Sequence, residues 1–101
     1  MKVVAYVPDL MDRSKVAAAA TVTFVAGPAA LEDADADLVI VDLNRPGVLD
    51  VLPAIRARTI GFGSHVQRDA LDAARAAGCD VVLKRSEFFA QLPNLLQQPA
   101  P

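Results

Sequence analysis

The stretch "LVIVDLNRPG", residues 38–47, decides how the rest of the chain reads. Four apolar, mostly branched residues run straight into an acid and then into the turn formers Asn44, Pro46 and Gly47. A run with no polar alternation is what a parallel strand looks like when helices cover both of its faces. The turn needs only Asn44, Pro46 and Gly47. The carboxylate of Asp42 therefore asks for a separate account.

Comparable apolar runs occupy residues 3–7, 22–25 and 81–83, and a weaker one, "TIGF", residues 59–62. Segments with helical spacing lie between them. After Asp9, Leu10, Val16, Ala17 and Ala20 fit one helix face. After Ser64, Val66, Ala70, Ala73, Ala74 and Ala77 form a second stripe, and Gly78 supplies its stop. Phe88, Phe89, Leu92, Leu95 and Leu96 give the last helix an apolar side, which Pro93 is expected to kink or restart. The two middle connections have room only for short helices, and Pro53 forbids one long one. The order β-α-β-(short α)-β-(short α)-β-α-β-α implies a three-layer α/β domain: a doubly wound parallel sheet of five strands between helices. One domain over residues 1–97 and a disordered tail at 98–101 are expected.

Composition narrows the function classes. The 101 residues are 53% hydrophobic but only 5% aromatic, so Ala, Val, Leu and Ile must build the core. A net charge of -2 without a basic cluster argues against a nucleic-acid surface. The lone cysteine, Cys79, excludes an internal disulfide framework and a thiolate cluster, and reads as a buried thiol. The apolar start breaks at Pro8 and Asp9, too early for a signal segment. No run approaches the roughly 20 residues that span a bilayer. A cytoplasmic protein without membrane partners is expected.

In an open parallel sheet, ligands sit beyond the carboxyl ends of the strands, where strand order reverses. Those ends carry Asp9, Asp42, Ser64 with His65, and Lys84 with Arg85. Two acids, a hydroxyl and an ammonium are thus expected to converge on one rim, with Asp42 facing a polar crevice.

With these residues assembled, the chain resembles a response-regulator receiver domain, CheY-like but degenerate and shortened. Asp42-Leu43-Asn44-Arg45-Pro46-Gly47 is similar to the D-x-N-x-P-G turn of that family. Ser64 and Lys84 match its hydroxyl and lysine positions, and "AARAAGCDVVLKR" resembles its segment around the fifth strand. The resemblance covers residues 2–97. It implies a flavodoxin-like strand order 2-1-3-4-5, with Asp42 as phosphoacceptor, Lys84 pairing with a phosphoryl oxygen and Ser64 donating to another. It implies Mg²⁺ held by Asp9, Asp42 and the Asn44 backbone carbonyl, weakened because Pro8 replaces the first of two adjacent acids. Asp12, a turn into the helix, is a substitute ligand. Arg85 stands where the family has proline.

Each of these residues also has a plainer reading. Asp42 serves an Asx-type turn, Asp9 an N-cap, and Ser64 a capping box with Gln67. Lys84 salt-bridges Asp42 or Asp9, and His65 is an exposed helix-start residue. Arg45 and Arg85 face one crevice and suit a small anion. The function that follows is a stand-alone receiver-like or pseudo-receiver signalling module, not an enzyme beyond phosphorylation and dephosphorylation at Asp42. Its expected partner is a histidine kinase or a downstream effector, and homodimerisation is left open. The rivals are a constitutive interaction or oligomerisation domain with a vestigial acidic site, and a small anion- or nucleotide-binding protein.

Overall fold

The computed structural model describes residues 1–64 and 66–97, so the expectations for His65 and for the 98–101 tail lie outside the described residues. The elements follow in strict alternation. They are β1 (Val3–Tyr6), α1 (Leu10–Ala19), β2 (Val22–Phe24), a 3-10 turn (Pro28–Leu31), β3 (Leu38–Asp42), α2 (Val48–Val51) with a 3-10 turn (Leu52–Ala54), β4 (Arg58–Gly63), α3 (Arg68–Ala76), β5 (Val81–Lys84) and α4 (Arg85–Gln97). All strand pairs are parallel and the order is β2-β1-β3-β4-β5. The doubly wound, receiver-like architecture expected from the sequence is the one observed.

Strand alternation sorts the core into two halves. Val3, Ala5, Val7, Leu38, Ile40, Ile60 and Phe62 face Val16 of α1 and Phe88, Leu92 and Leu96 of α4. Val4, Val39, Val41 and Leu43 face α2, the 3-10 turn after it and α3 through Val48, Val51, Leu52, Leu71 and Ala74. Phe62 and Phe88 stack with centroids 4.5 Å apart, and Phe89 meets both edge-on. Such pairs add about 0.5–1.5 kcal/mol each beyond the area they bury. Three of the chain's few aromatics are therefore concentrated under the N-terminal half of α4.

The β4 run reads weakly because two of its residues are glycines, and both are needed. A Cβ at Gly61 would lie 2.7 Å from the Leu43 side chain, and one at Gly63 would lie 2.9 Å from Leu71 and 3.1 Å from the Asn44 amide oxygen. Their absence lets the turn after β3 fold down onto β4, where the Leu43 N–H donates to the Phe62 carbonyl at 2.8 Å. Gly47, at φ 83°, supplies the left-handed step into α2.

Three expectations for the helices are corrected. Leu10 is exposed, and the buried side of α1 carries Asp12 and Val16. Val66 is exposed and precedes α3, whose buried residues are Leu71 and Ala74. Pro93 does not restart the last helix, which continues through it. At the ninth position of α4 the proline is exposed, and packing of Phe88, Leu92 and Leu96 holds the segment helical on both sides of it. Among the described residues no helix is long and apolar enough to cross a membrane.

Candidate functional site

The notch lies at the switch point of the sheet, where β1 and β3 are neighbours and their following connections depart in opposite directions. Asp42 is the last residue of β3 and sits opposite Phe62 of β4. Alternation carries it to the α1/α4 side, the side of Ile40, and its side chain is only 7% exposed. Its Oδ1 accepts the Asn44 backbone N–H at 3.0 Å, and its Oδ2 faces Arg45 Nε at 3.2 Å. One carboxylate therefore serves both the Asx turn and the contact with Arg45.

Asp9 caps α1: its Oδ1 accepts the Asp12 N–H at 3.0 Å. This backbone donor holds the Asp9 carboxyl below its ordinary value against the opposing effect of burial, aided to a lesser degree by the Met11 N–H and by the charges of Arg85 and Arg45. Capping places Asp12 one turn further on, facing inward. Its side chain is 1% exposed, and one oxygen takes the Arg85 guanidinium while the other, Oδ2, has no hydrogen-bond partner among the described residues.

The cation opposite the acids is thus Arg85, not Lys84. The physical reason is the two-residue period of β5. Val81 and Leu83 pack toward α1 and α4, whereas Val82 packs toward α3. Continuing that alternation sends Lys84 to the α3 side, while Arg85, the first residue of α4, pairs with Asp12. Lys84 lines a depression of about 320 Å³ with Arg68, Leu71, Asp72, Arg75 and Glu87. Arg85 is fixed from several sides. Its guanidinium carbon lies 5.3 Å from the Phe89 ring centre and 5.9 Å from that of Phe62. Its pKa is raised, first by the hydrogen bond to Asp12 and then by attraction to Asp12, Asp42 and Asp9, with burial opposing.

Ser64 directly follows β4, and Asn44 anchors it: the Ser64 N–H donates to Asn44 Oδ1 at 2.6 Å, while Asn44 Nδ2 donates to Gln67 Oε1. The expected capping box does not form. The helix begins at Arg68, and Ser64 Oγ accepts from the Val66 N–H at 3.3 Å. Asn44 contributes through its side chain as a strut between two loops.

A resident divalent ion does not fit this arrangement. Mg²⁺ requires near-octahedral oxygen donors around it. Here the Asp42 oxygens meet an N–H and Arg45, an Asp9 oxygen caps a helix, and Asp12 carries Arg85. Among the described residues no three His, Cys, Asp or Glu side chains gather as a metal would need. The notch combines three carboxylates with two guanidiniums, and its charge is largely balanced from within.

No family model matches the sequence, and no curated protein does. Solved structures do match. The phosphorylated cyanobacterial phytochrome response regulator RcpA superposes with a TM-score of 0.79 at 15% identity, covering 98% of this chain and 96% of that one. The Mn²⁺-bound form of response regulator Rcp1 gives 0.75 at 15% identity, over 100% and 99%. A response-regulator receiver domain from Rhodospirillum rubrum gives 0.68 at 16% identity, over 94% and 90%. With strand order, layer arrangement and full-length superposition in agreement, this chain has the fold of the response-regulator receiver domains.

Proposed function

We propose that the chain is a receiver-like signalling module that works by docking a protein partner, with its acidic notch tied to Arg85 and Arg45. The observation that carries this reading is the pairing of Asp12 with Arg85 beside the pairing of Asp42 with Arg45. Phosphoryl transfer to an aspartate requires a free ionised oxygen, together with a metal and a cation to neutralise the phosphate charge. Both oxygens of Asp42 are engaged, Asp12 is paired with Arg85, and Asp9 accepts the Asp12 N–H as the cap of α1. The notch therefore fixes the relation of β1, β3 and α4 without an added group, and the surface around it presents one stable shape to a kinase, an effector or a second copy.

A second reading keeps Asp42 as phosphoacceptor. It is favoured by the position of Asp42 at the end of β3 and by the fold shared with RcpA, which is described as phosphorylated. In that case Arg85 replaces Lys84 as the cation for the phosphoryl group. Incubation with Mg²⁺ and acetyl phosphate or beryllofluoride separates the two. The docking reading expects no phosphoryl mass gain and no chemical-shift change around Asp42. A mass gain that Asp42→Asn abolishes would overturn it.

A further inference from the structure

Met1 apart, the large apolar side chains exposed among the described residues are Leu10, Met11 and Val66, at 76%, 73% and 76%. They are not scattered. Leu10 and Met11 open α1 directly after Asp9, and Val66 lies in the connection from β4 to α3. β1 and β4 are the two neighbours of β3 in the sheet, so these residues stand on either side of Asp42 at one rim. A single exposed apolar residue needs no account, but a group of them around one site marks a contact surface.

The notch between them turns its cations outward. The side chains of Asp42 and Asp12 are 7% and 1% exposed, whereas those of their partners Arg45 and Arg85 are 40% and 45% exposed. Asp9, partly buried, is occupied with the helix cap. Arg45 uses its Nε on Asp42 and Arg85 one Nη on Asp12, and a guanidinium has further N–H donors to offer. A partner in contact therefore meets guanidinium donors first, although acids lie beneath them. The Phe62 and Phe89 rings beside Arg85 hold it in place, so less freedom is lost when it binds.

We infer that this rim recognises a protein segment carrying carboxylates between apolar side chains. The carboxylates take the outer N–H groups of Arg45 and Arg85, and the apolar side chains pack on Leu10, Met11 and Val66. Arginine and carboxylate form strong, directional hydrogen bonds, and arginine and methionine are enriched at protein interfaces. The inference rests on the docking reading, whose partner it specifies.

The test is selection of peptides from a random phage-displayed library on the wild-type protein, followed by fluorescence-anisotropy titration of the selected peptides. They are expected to carry Asp or Glu flanked by apolar residues and to bind more weakly as salt rises. Their affinity should fall at least about tenfold, one 1.4 kcal/mol step, in Arg45→Gln and in Leu10→Ser/Met11→Ser. Lys84→Gln, which changes the α3 side, should leave it unchanged. Leu10 and Met11 are exposed, so their double variant keeps the fold and decides the matter even if Arg45→Gln does not fold. Failure to select any peptide, peptides rich in Lys, Arg or His, or binding indifferent to Leu10→Ser/Met11→Ser would overturn the inference. Self-association of the wild type that this double variant abolishes would also overturn it, by assigning the rim to a second copy. These outcomes sink only the inference, whereas a phosphoryl mass gain at Asp42 sinks the docking reading.

Discussion

Removing the Arg85 charge should destabilise the fold, and the deficit should depend on Asp12. Asp12 is 1% exposed on its side chain, so without Arg85 its carboxylate is left buried and uncompensated. Loss of one partner from a fully buried pair costs about 3–5 kcal/mol. The Arg85 side chain is 45% exposed, and water screens part of the attraction, which lowers the expected cost of Arg85→Gln to about 2–3 kcal/mol. Asp12→Asn frees Arg85 to solvent and should cost less, about 1 kcal/mol, the usual worth of one hydrogen bond. The double variant should lie close to Asp12→Asn, giving a coupling of about 2–3 kcal/mol. Lys84→Gln makes the same charge change one residue earlier, where the side chain faces α3, and should stay within about 0.5 kcal/mol of wild type. Urea denaturation at neutral pH, followed by circular dichroism, measures all four variants. Additive effects of Asp12→Asn and Arg85→Gln, or a Lys84→Gln deficit as large as that of Arg85→Gln, would refute the reasoning.

Other perturbations probe the same frame. Gly61→Ala drives a methyl against Leu43, next to Asp42, and should cost about 1–3 kcal/mol by overpacking, with shift changes reaching the Asn44 loop. Cys79 is buried, and burial pushes its thiol up to about 11, so an alkylating reagent at pH 8 should label it only after denaturation. The folded-state pKa of Asp9 lies below its unfolded value of 3.8, so ionised Asp9 favours the fold above that value, and the benefit fades as pH falls through the folded pKa. Asp9→Asn keeps a capping oxygen and removes the charge; its stability gap to wild type should be constant near neutrality and shrink below about pH 4.

The fold was legible because its strands are continuous apolar runs and its turns carry strong signals. Asp42 followed by Asn44, Pro46 and Gly47 marked both the end of β3 and the switch point. Helix faces were harder to read. In α1 the inward position after the cap belongs to Asp12, and counting apolar residues put Leu10 there instead; a buried acid is invisible until its partner is known. In β5 the residue type misled. Lys84 is the obvious cation after an apolar run, yet parity with Val82 turns it toward α3, and Arg85 opens α4 beside Asp12. That signal was present in the sequence, but using it required knowing which face of the sheet α1 and α4 cover. The role of Asn44 as a strut depends on Ser64 and Gln67 arriving from β4, a tertiary contact with no local signature.

The most direct test of the central claim is NMR of the Arg85 side chain in the wild-type protein, with and without excess Mg²⁺. A guanidinium locked on Asp12 should show resolved, slowly rotating Nη resonances that Mg²⁺ leaves unchanged. A freely rotating guanidinium, or one that Mg²⁺ releases from Asp12, would contradict the account.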